Sequence, residues 1–420
     1  MNREQKSWIL YDVGNSAYIL IVTTALMPVF YKSYAAVGMS DSASTAQWGF
    51  ANSAASLVLA LAAPILGTLS DYNGNKLRFL KFFILAGTFS TLLLTLITKS
   101  SWLTALIIYA VSMIGYSAAN IFYDSLLPDV AQGKDMDRVS ALGYAWGYIG
   151  SVIPFVLVIG LLFAGEKLGL QAEAVKTAFV ITAAWWLLFS LPLLRNVKQK
   201  YFLKKRKRYI THSFLRLISI SKEIGKNKNA FIFMAAYFFY IDGVDTIIRM
   251  AVPYGKDAGL GTGELLLAVL FIQILAFPFA LAYGKMSEFF GAKKLIFIAI
   301  TIYLLTVLLG FFLPQIPDIR VKSWVFWLLA FLIATSQGGI QSLSRSLFGR
   351  IIPKEKSGEF FGFYNIFGKF AAIAGPFIMS MAIWITGESK YGILSLSILF
   401  LVGAGLLYFV KEEHSRTISK

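Results

Sequence analysis

Residues 67–76 and 284–293 of this chain share one pattern: glycine, two residues, serine, acid, two residues, glycine, one residue, lysine. In the first copy the fixed positions are Gly67, Ser70, Asp71, Gly74 and Lys76; in the second they are Gly284, Ser287, Glu288, Gly291 and Lys293. Each copy sits between two long apolar runs, so the chain is an internal duplication and must fold as two like halves. A reversal this short between membrane helices needs the glycines. The acid is placed to meet the N-terminus of a neighbouring helix and the lysine to reach lipid phosphate, which makes the loop a latch between helices.

A bilayer is crossed by about 20 consecutive apolar residues. Twelve such runs can be placed, at 7–34, 45–70, 79–98, 102–127, 139–164 and 174–194, then at 230–254, 261–283, 295–313, 324–347, 360–385 and 392–410. The expected architecture is an all-α membrane protein of twelve transmembrane helices in two pseudo-symmetric six-helix bundles. The bundles would occupy 1–194 and 229–411, with a basic linker at 195–228 and a tail at 412–420. Composition agrees, since 57% hydrophobic against 15% charged residues is not the make-up of a soluble chain.

A net charge of +17 would point to nucleic acid in a soluble protein. Here most of the Lys and Arg lie in loops on the side of the linker, among them Lys204, Lys205, Arg206, Lys207 and Arg208. Anionic membrane lipid is therefore the expected partner of the linker, and nucleic acid is not. The linker reads first as a solvated segment that fixes topology, with a regulatory, lipid-binding role as the alternative. The same charge bias puts both termini and the linker in the cytoplasm, in a cell (plasma or inner) membrane. Asp12 and Asn15 interrupt the first run and no small-residue cleavage site follows, so it is expected to be a retained spanning helix.

The chemistry open to the chain is narrow. It has no cysteine, its two histidines, His212 and His414, fall in polar segments, and no glycine-rich loop ends in Gly-Lys-Ser or Gly-Lys-Thr. Disulfides, thiolate metal sites and nucleotide-driven transport are excluded; no cofactor and no metal are expected.

Polar residues inside the apolar runs carry the functional expectation. Asp12, Asn15 and Ser16 in the first run match Asp242, Asp245 and Thr246 in the seventh. Asn120, Asp124, Ser125 and Leu126 in the fourth match Gln341, Arg345, Ser346 and Leu347 in the tenth. Such a pattern predicts a central cavity lined by runs one, four, seven and ten, with substrate held between the halves. A carboxylate in hydrocarbon is costly and normally faces a bundle interior or a hydrated path. Asp12, Asp242 and Asp245 are thus candidates for substrate and proton binding, because a carboxyl group withdrawn from water can exchange a proton. The plainer reading of Asp12 is a wet helix end.

Arg249 stands four residues beyond Asp245, on the same helix face. It either neutralises that aspartate or receives a substrate carboxylate while an aspartate takes the amino group, as a zwitterion would require. Asp124 and Arg345, of opposite charge at equivalent positions, read as a cytoplasmic gate pair flanked by Asn120 and Gln341, with Lys369 a competing partner. The alternative is a static pair within each half. Gly143, Gly147, Gly150, Gly362, Gly368, Gly375 and Pro376 are explained by close helix packing and a kink. Tyr11, Tyr18, Tyr240, Trp146 and Tyr364 are packing residues first and cation-attracting rings second.

With Arg78 added, the first loop is similar to the signature that follows helix two in the major facilitator superfamily, and the second loop repeats it more weakly, with Glu288 as the acid. Tyr72 and Asn75 depart from it, since basic residues are usual there. Within that superfamily the chain resembles the vacuole-effluxer-like family, which includes a fungal autophagy-related exporter of amino acids. The resemblance rests on residues 11–18 (YDVGNSAY), 120–129 (NIFYDSLLPD), 138–150 (RVSALGYAWGYIG), 242–250 (DGVDTIIRM), 338–350 (GGIQSLSRSLFGR) and 359–376 (EFFGFYNIFGKFAAIAGP). Val13 and Gly14 depart, where an aromatic and an alanine are more usual.

The resemblance implies a secondary transporter working by alternating access; with no cysteine and no histidine in the apolar runs an enzyme is not expected, and the chain is expected to act as a monomer. Its cargo would be a small polar solute, with an amino acid or related zwitterion leading, coupled to protons or moved down its gradient. A lipid or lipid-headgroup flippase of the same fold and a non-transporting receptor or scaffold are the alternatives.

Overall fold

The structure, a computed structural model, describes residues 1–39, 41–203 and 227–412. Within that set the chain is helical almost throughout, because backbone groups facing lipid must find their partners inside their own segment. The first half runs α1 (Arg3–Ala17), α2 (Asp41–Ser70), α3 (Asn75–Leu93), α4 (Trp102–Ser125), α5 (Lys134–Leu168) and α6 (Gln171–Asn196). The second runs α7 (Lys228–Asp257), α8 (Thr262–Phe290), α9 (Ala292–Phe312), α10 (Ile319–Ile351), α11 (Ser357–Thr386) and α12 (Ser389–Tyr408). Among the described residues, ten segments are long and apolar enough to cross a membrane. The other two expected spans, 45–70 and 360–385, fall on α2 and α11, each 30 residues long. The basic run 204–208, both histidines and the tail from 413 lie outside the described residues.

Local sequence explains the element ends. Asn2 accepts a hydrogen bond from the Gln5 amide at 2.8 Å while Gln5 accepts one from the Asn2 amide at 3.0 Å, a reciprocal cap that starts α1. Gly74 takes φ +74°, the left-handed turn that lets α3 reverse on α2.

One departure from regular geometry was not legible in the sequence. Beyond α1 the helix widens over Tyr18–Leu26 into π-helical bonding, where Met27 donates to the carbonyl of Val22, and Tyr31–Ala35 does the same. The Thr24 hydroxyl reaches the carbonyl of Ile19, five residues back, at 2.9 Å. Widened turns of this kind concentrate beside functional sites, and this one begins three residues after Asn15.

The duplication is visible in packing. α1 lies on α6, α3 on α4 and α2 on α4 in the first half; α7 lies on α12, α9 on α10 and α8 on α10 in the second. With little hydrophobic drive between helices in lipid, close approach at small residues carries such contacts; a Cβ on Gly115 would stand 2.6 Å from the Gly87 Cα. The outward faces are apolar, with Phe82 and Phe89 more than 60% exposed, as lipid-facing surfaces are.

The chain forms two compact units. One holds residues 1–130, 146–213 and 354–362, and the other holds 131–145, 214–353 and 363–420. The first unit therefore takes in the start of α11, and the second takes in the start of α5.

Candidate functional site

In the first unit the repeated loop is a built junction. Ser70 Oγ donates back to the carbonyl of Gly67 at 2.7 Å, tying off the end of α2. The Asp71 carboxylate, wholly buried, accepts the backbone amides of Gly358 at 2.7 Å and Glu359 at 2.9 Å. The first amides of a helix point out of its N-terminus and carry the positive end of its dipole, so a carboxylate is the fitting group there. Residues 67 and 358 must both be small: a Cβ on Gly358 would stand 2.7 Å from Asp71 Oδ1, and one on Gly67 would press on the Gly358 carbonyl.

Lys76 corrects the expectation that the loop lysine reaches lipid. It is fully buried, and its ammonium donates to Asp129 Oδ2 at 2.9 Å, to the carbonyl of Ser125 at 3.1 Å and to Ser357 Oγ at 2.8 Å. Its three protons are all placed, the arrangement a buried cation requires. Arg78 is exposed.

The second unit repeats the plan with different parts. Ser287 Oγ donates to the Gly284 carbonyl at 2.8 Å, as Ser70 does to Gly67. Glu288, however, is exposed. The carboxylate at a helix start here is Glu412, which accepts the amides of Ala292 at 3.0 Å and Lys293 at 3.3 Å, capping α9, and pairs with Arg350 at 3.0 Å. Lys293 again goes to a helix end instead of lipid: it donates to the carbonyls of Tyr408 and Val410, each at 2.7 Å. Asp137, at the start of α5, pairs with Arg350 and accepts Ser346 Oγ at 2.5 Å.

The polar clusters of the first and seventh runs are largely buried. Asp12 is 5% exposed, and Oδ2 accepts the Tyr123 hydroxyl at 2.7 Å. Tyr123 is held in turn by Trp8, stacked at 4.3 Å between centroids and donating Nε1 to the Tyr123 carbonyl. The wet-helix-end reading of Asp12 does not fit this enclosure. Helix α5 reaches the cluster at Gly147, where a Cβ would collide with Ser16 Oγ.

Asp242 has no exposed surface. Its Oδ1 accepts the Gly375 amide at 2.8 Å and the Thr246 hydroxyl at 3.4 Å, while Oδ2 has no hydrogen-bond partner among the described residues. A Cβ at position 375 would meet Asp242 Oδ1 at 2.6 Å, so the glycine is what lets α11 approach the carboxylate. Asp245 is half-buried and Arg249 is exposed.

The expected gate residues are placed as follows. Asn120, Asp124 and Gln341 are half-buried. Arg345 is 3% exposed in the second unit; its Nε donates to Ser140 Oγ at 2.9 Å and Nη2 to the Ser140 carbonyl at 3.0 Å, with the guanidinium 4.4 Å from the Tyr144 ring centroid. Lys369 lies within α11, and its side chain is outside the described residues. Among the buried polar atoms of the first unit, Asn15 Oδ1 and Asn120 Oδ1 have no hydrogen-bond partner among the described residues. Water or solute must serve them.

Sequence reasoning missed Tyr123, Asp129, Ser140 and Ser357. A signal existed for the first two, since both stand in the stretch 120–129 with Asp124.

The latch geometry makes a direct prediction. Gly358→Ala should push the start of α11 off Asp71 and cost about 1–3 kcal/mol as an overpacking change, read as a lower unfolding midpoint of the detergent-solubilised protein. Gly160→Ala, where nothing lies within 4 Å, should be neutral or slightly stabilising.

A family model described as vacuole effluxer Atg22 like matches residues 36–137 and 130–419. An uncharacterized MFS-type transporter of Bacillus subtilis, YxiO, is 46% identical over all of this chain and 97% of its own length. Autophagy-related protein 22 of Saccharomyces cerevisiae is 24% identical over 81% of this chain and 72% of its own. The chain spans about half the length of the Aspergillus fumigatus relative. Among solved structures, the proton:xylose symporter XylE gives a TM-score of 0.71 at 15% identity, covering 98% of this chain and 95% of that one. The transporter FucP in its outward conformation gives 0.71 at 16% identity, covering 98% of each. At such identities the likeness is one of fold: the chain has the major-facilitator architecture.

Proposed function

Because the chain belongs to the vacuole effluxer Atg22-like family and is matched along its whole length by an MFS-type transporter, we propose that it is a secondary transporter moving a small polar solute by alternating access, with proton exchange at Asp242. One observation carries the proton assignment: Asp242 is a fully buried carboxyl with one oxygen held by neutral donors and the other left without a partner. An anion so placed lacks the solvation it needs, and a proton removes that cost. Its counterpart Asp12 sits on the equivalent helix of the other half, held on one oxygen by the Tyr123 hydroxyl.

The solute class we favour is an amino acid or related zwitterion. Within the first unit, Asp12 and the carbonyl oxygens of Asn15 and Asn120 suit the ammonium group of such a solute. The reading puts the protein in the plasma membrane, and the charge bias of the loops supports both termini on the cytoplasmic side.

The test begins with thermal-shift screening of the purified protein against amino acids, sugars, osmolytes and phospholipid headgroups. Flux of any stabilising solute into proteoliposomes is then measured with and without a pH gradient. Amino-acid stabilisation with gradient-dependent flux is the expected result; stabilisation by headgroups alone would make the protein a flippase, and flux indifferent to pH would remove the proton from the cycle.

A further inference from the structure

The junction at Asp71 has a second side, formed by the chain that leaves α6. Gln199, 8% exposed, accepts the Lys76 amide at 3.3 Å and donates to the Ser70 carbonyl at 3.2 Å. The amides of Lys200 and Tyr201 both donate to Asp129 Oδ1, at 2.6 and 2.8 Å. Leu203 donates its amide to the Asp71 carbonyl at 2.8 Å and accepts from the Asn73 amide at 3.3 Å, forming a short parallel bridge beside Tyr72. Lys200 also pairs with Glu4 at 2.5 Å, which ties the segment to the first turn of α1.

Three residues are therefore bonded on both sides. Asp71 holds the start of α11 with its carboxylate and Leu203 with its carbonyl. Lys76 holds Ser357 with its ammonium and Gln199 with its amide. Asp129 holds the Lys76 ammonium with one oxygen and the amides of residues 200 and 201 with the other. Asp71 and Lys76, which hold the start of α11, are thus each bonded to residues 199–203 as well, while the Ser125 carbonyl holds Ser357 Oγ at 3.0 Å beside them.

We propose that residues 199–203 are a strap that sets the grip of Asp71 and Lys76 on the N-terminus of α11, so that the segment linking the two halves controls the junction and not only spans between them. Two equilibria that share three residues are coupled: detaching the strap lets the 71–76 loop relax and frees the α11 amides, and releasing α11 loosens the strap by the same factor. Main-chain bonds carry most of the attachment, so the strap answers to tension on the chain beyond residue 203 more than to side-chain identity within it. The corresponding position in the second half is filled by Glu412, which caps α9 from the chain leaving α12, with Lys411 bracketed by two hydrogen bonds to Asn229. In both halves, then, a side chain from the segment leaving the last helix accepts the amide of the loop lysine, Gln199 that of Lys76 and Glu412 that of Lys293.

The experiment reads the α11 amides directly and needs no solute. Amide hydrogen exchange is followed in nanodiscs for the peptide spanning 354–362, where Gly358 and Glu359 donate to Asp71. Leu203→Pro removes the amide bonded to Asp71 and should speed exchange at 358–359 about tenfold or more, whereas Leu203→Ala, which keeps it, should change little. Because the chain has no cysteine, Tyr72→Cys with Leu203→Cys supplies the only two thiols; oxidation should slow exchange at the same amides, and reduction should reverse it. The proposal is overturned if Leu203→Pro speeds exchange at 70–76 while 358–359 stays as in the parent, or if the oxidised pair leaves 358–359 unchanged. Intact coupling between strap and α11 in a parent protein that moves no solute would count against the transporter reading alone.

Discussion

Lys76→Met is expected to destabilise the protein by about 3–5 kcal/mol, the usual cost of removing one partner from a buried ion pair. The reason is specific to what remains. Asp129, 2% exposed, would keep Lys200 and Tyr201 amides on one oxygen but lose the ammonium bonded to the other. The Ser125 carbonyl and Ser357 Oγ would lose the same donor. Methionine fills the volume of the lysine stem, so the loss is electrostatic and not a cavity. Lys76→Met with Asp129→Asn should recover most of the stability, because a neutral amide at 129 still accepts the two strap amides and no charge is stranded. Unfolding in mixed micelles, followed by tryptophan fluorescence, measures both. A double variant as unstable as the single one would mean that the lysine acts through its other two bonds instead.

The repeat itself was readable because its spacing is local: the glycines and the serine act within ten residues, and both serines make the same bond. The partners of Lys76 were not readable. Asp129 and Ser357 lie 53 and 281 residues away, and nothing in a lysine beside a membrane helix distinguishes a buried cation from one at a lipid headgroup. Glu288 shows the converse. It fits the pattern yet is exposed, and Glu412, in a tail with no motif, caps α9. The strap left no side-chain signature, since amides and carbonyls make most of its bonds. Tyr123 stood one residue from Asp124 in a noted stretch, but the face it occupies on α4 puts its hydroxyl on Asp12, a relation of three-dimensional register.

The contrast between the two copies bears on how the halves are controlled. In the first, the carboxylate of the motif itself grips another helix; in the second, a carboxylate from the chain end caps the helix that follows the loop. Both use the positive end of a helix, where a carboxylate is worth about 0.3–2 kcal/mol depending on burial. Glu412→Gln should therefore cost less than Lys76→Met, because its Oε1 still accepts and Arg350 keeps Asp137; the same micellar titration ranks the two.

Asp242→Asn is expected to abolish the response of flux to a pH gradient, by at least about tenfold, or about 1.4 kcal/mol of driving force, while exchange of solute across the membrane without a gradient continues. The substitution is nearly isosteric. Asn Oδ1 can take the Gly375 amide and the Thr246 hydroxyl as the carboxylate does, so the approach of α11 at Gly375 should survive. What disappears is the proton site, since an amide cannot gain or lose one in this range. Asp12→Asn is the informative companion. Asp12 is held by a tyrosine hydroxyl that an amide oxygen also accepts, and in our reading it serves the solute, so its loss should weaken solute binding in the thermal-shift assay and leave the residual flux responsive to pH. The two variants thus separate in opposite directions on the two assays. Equal loss on both assays from either variant would show that the buried carboxyls hold the fold and do not divide the labour of transport between solute and proton.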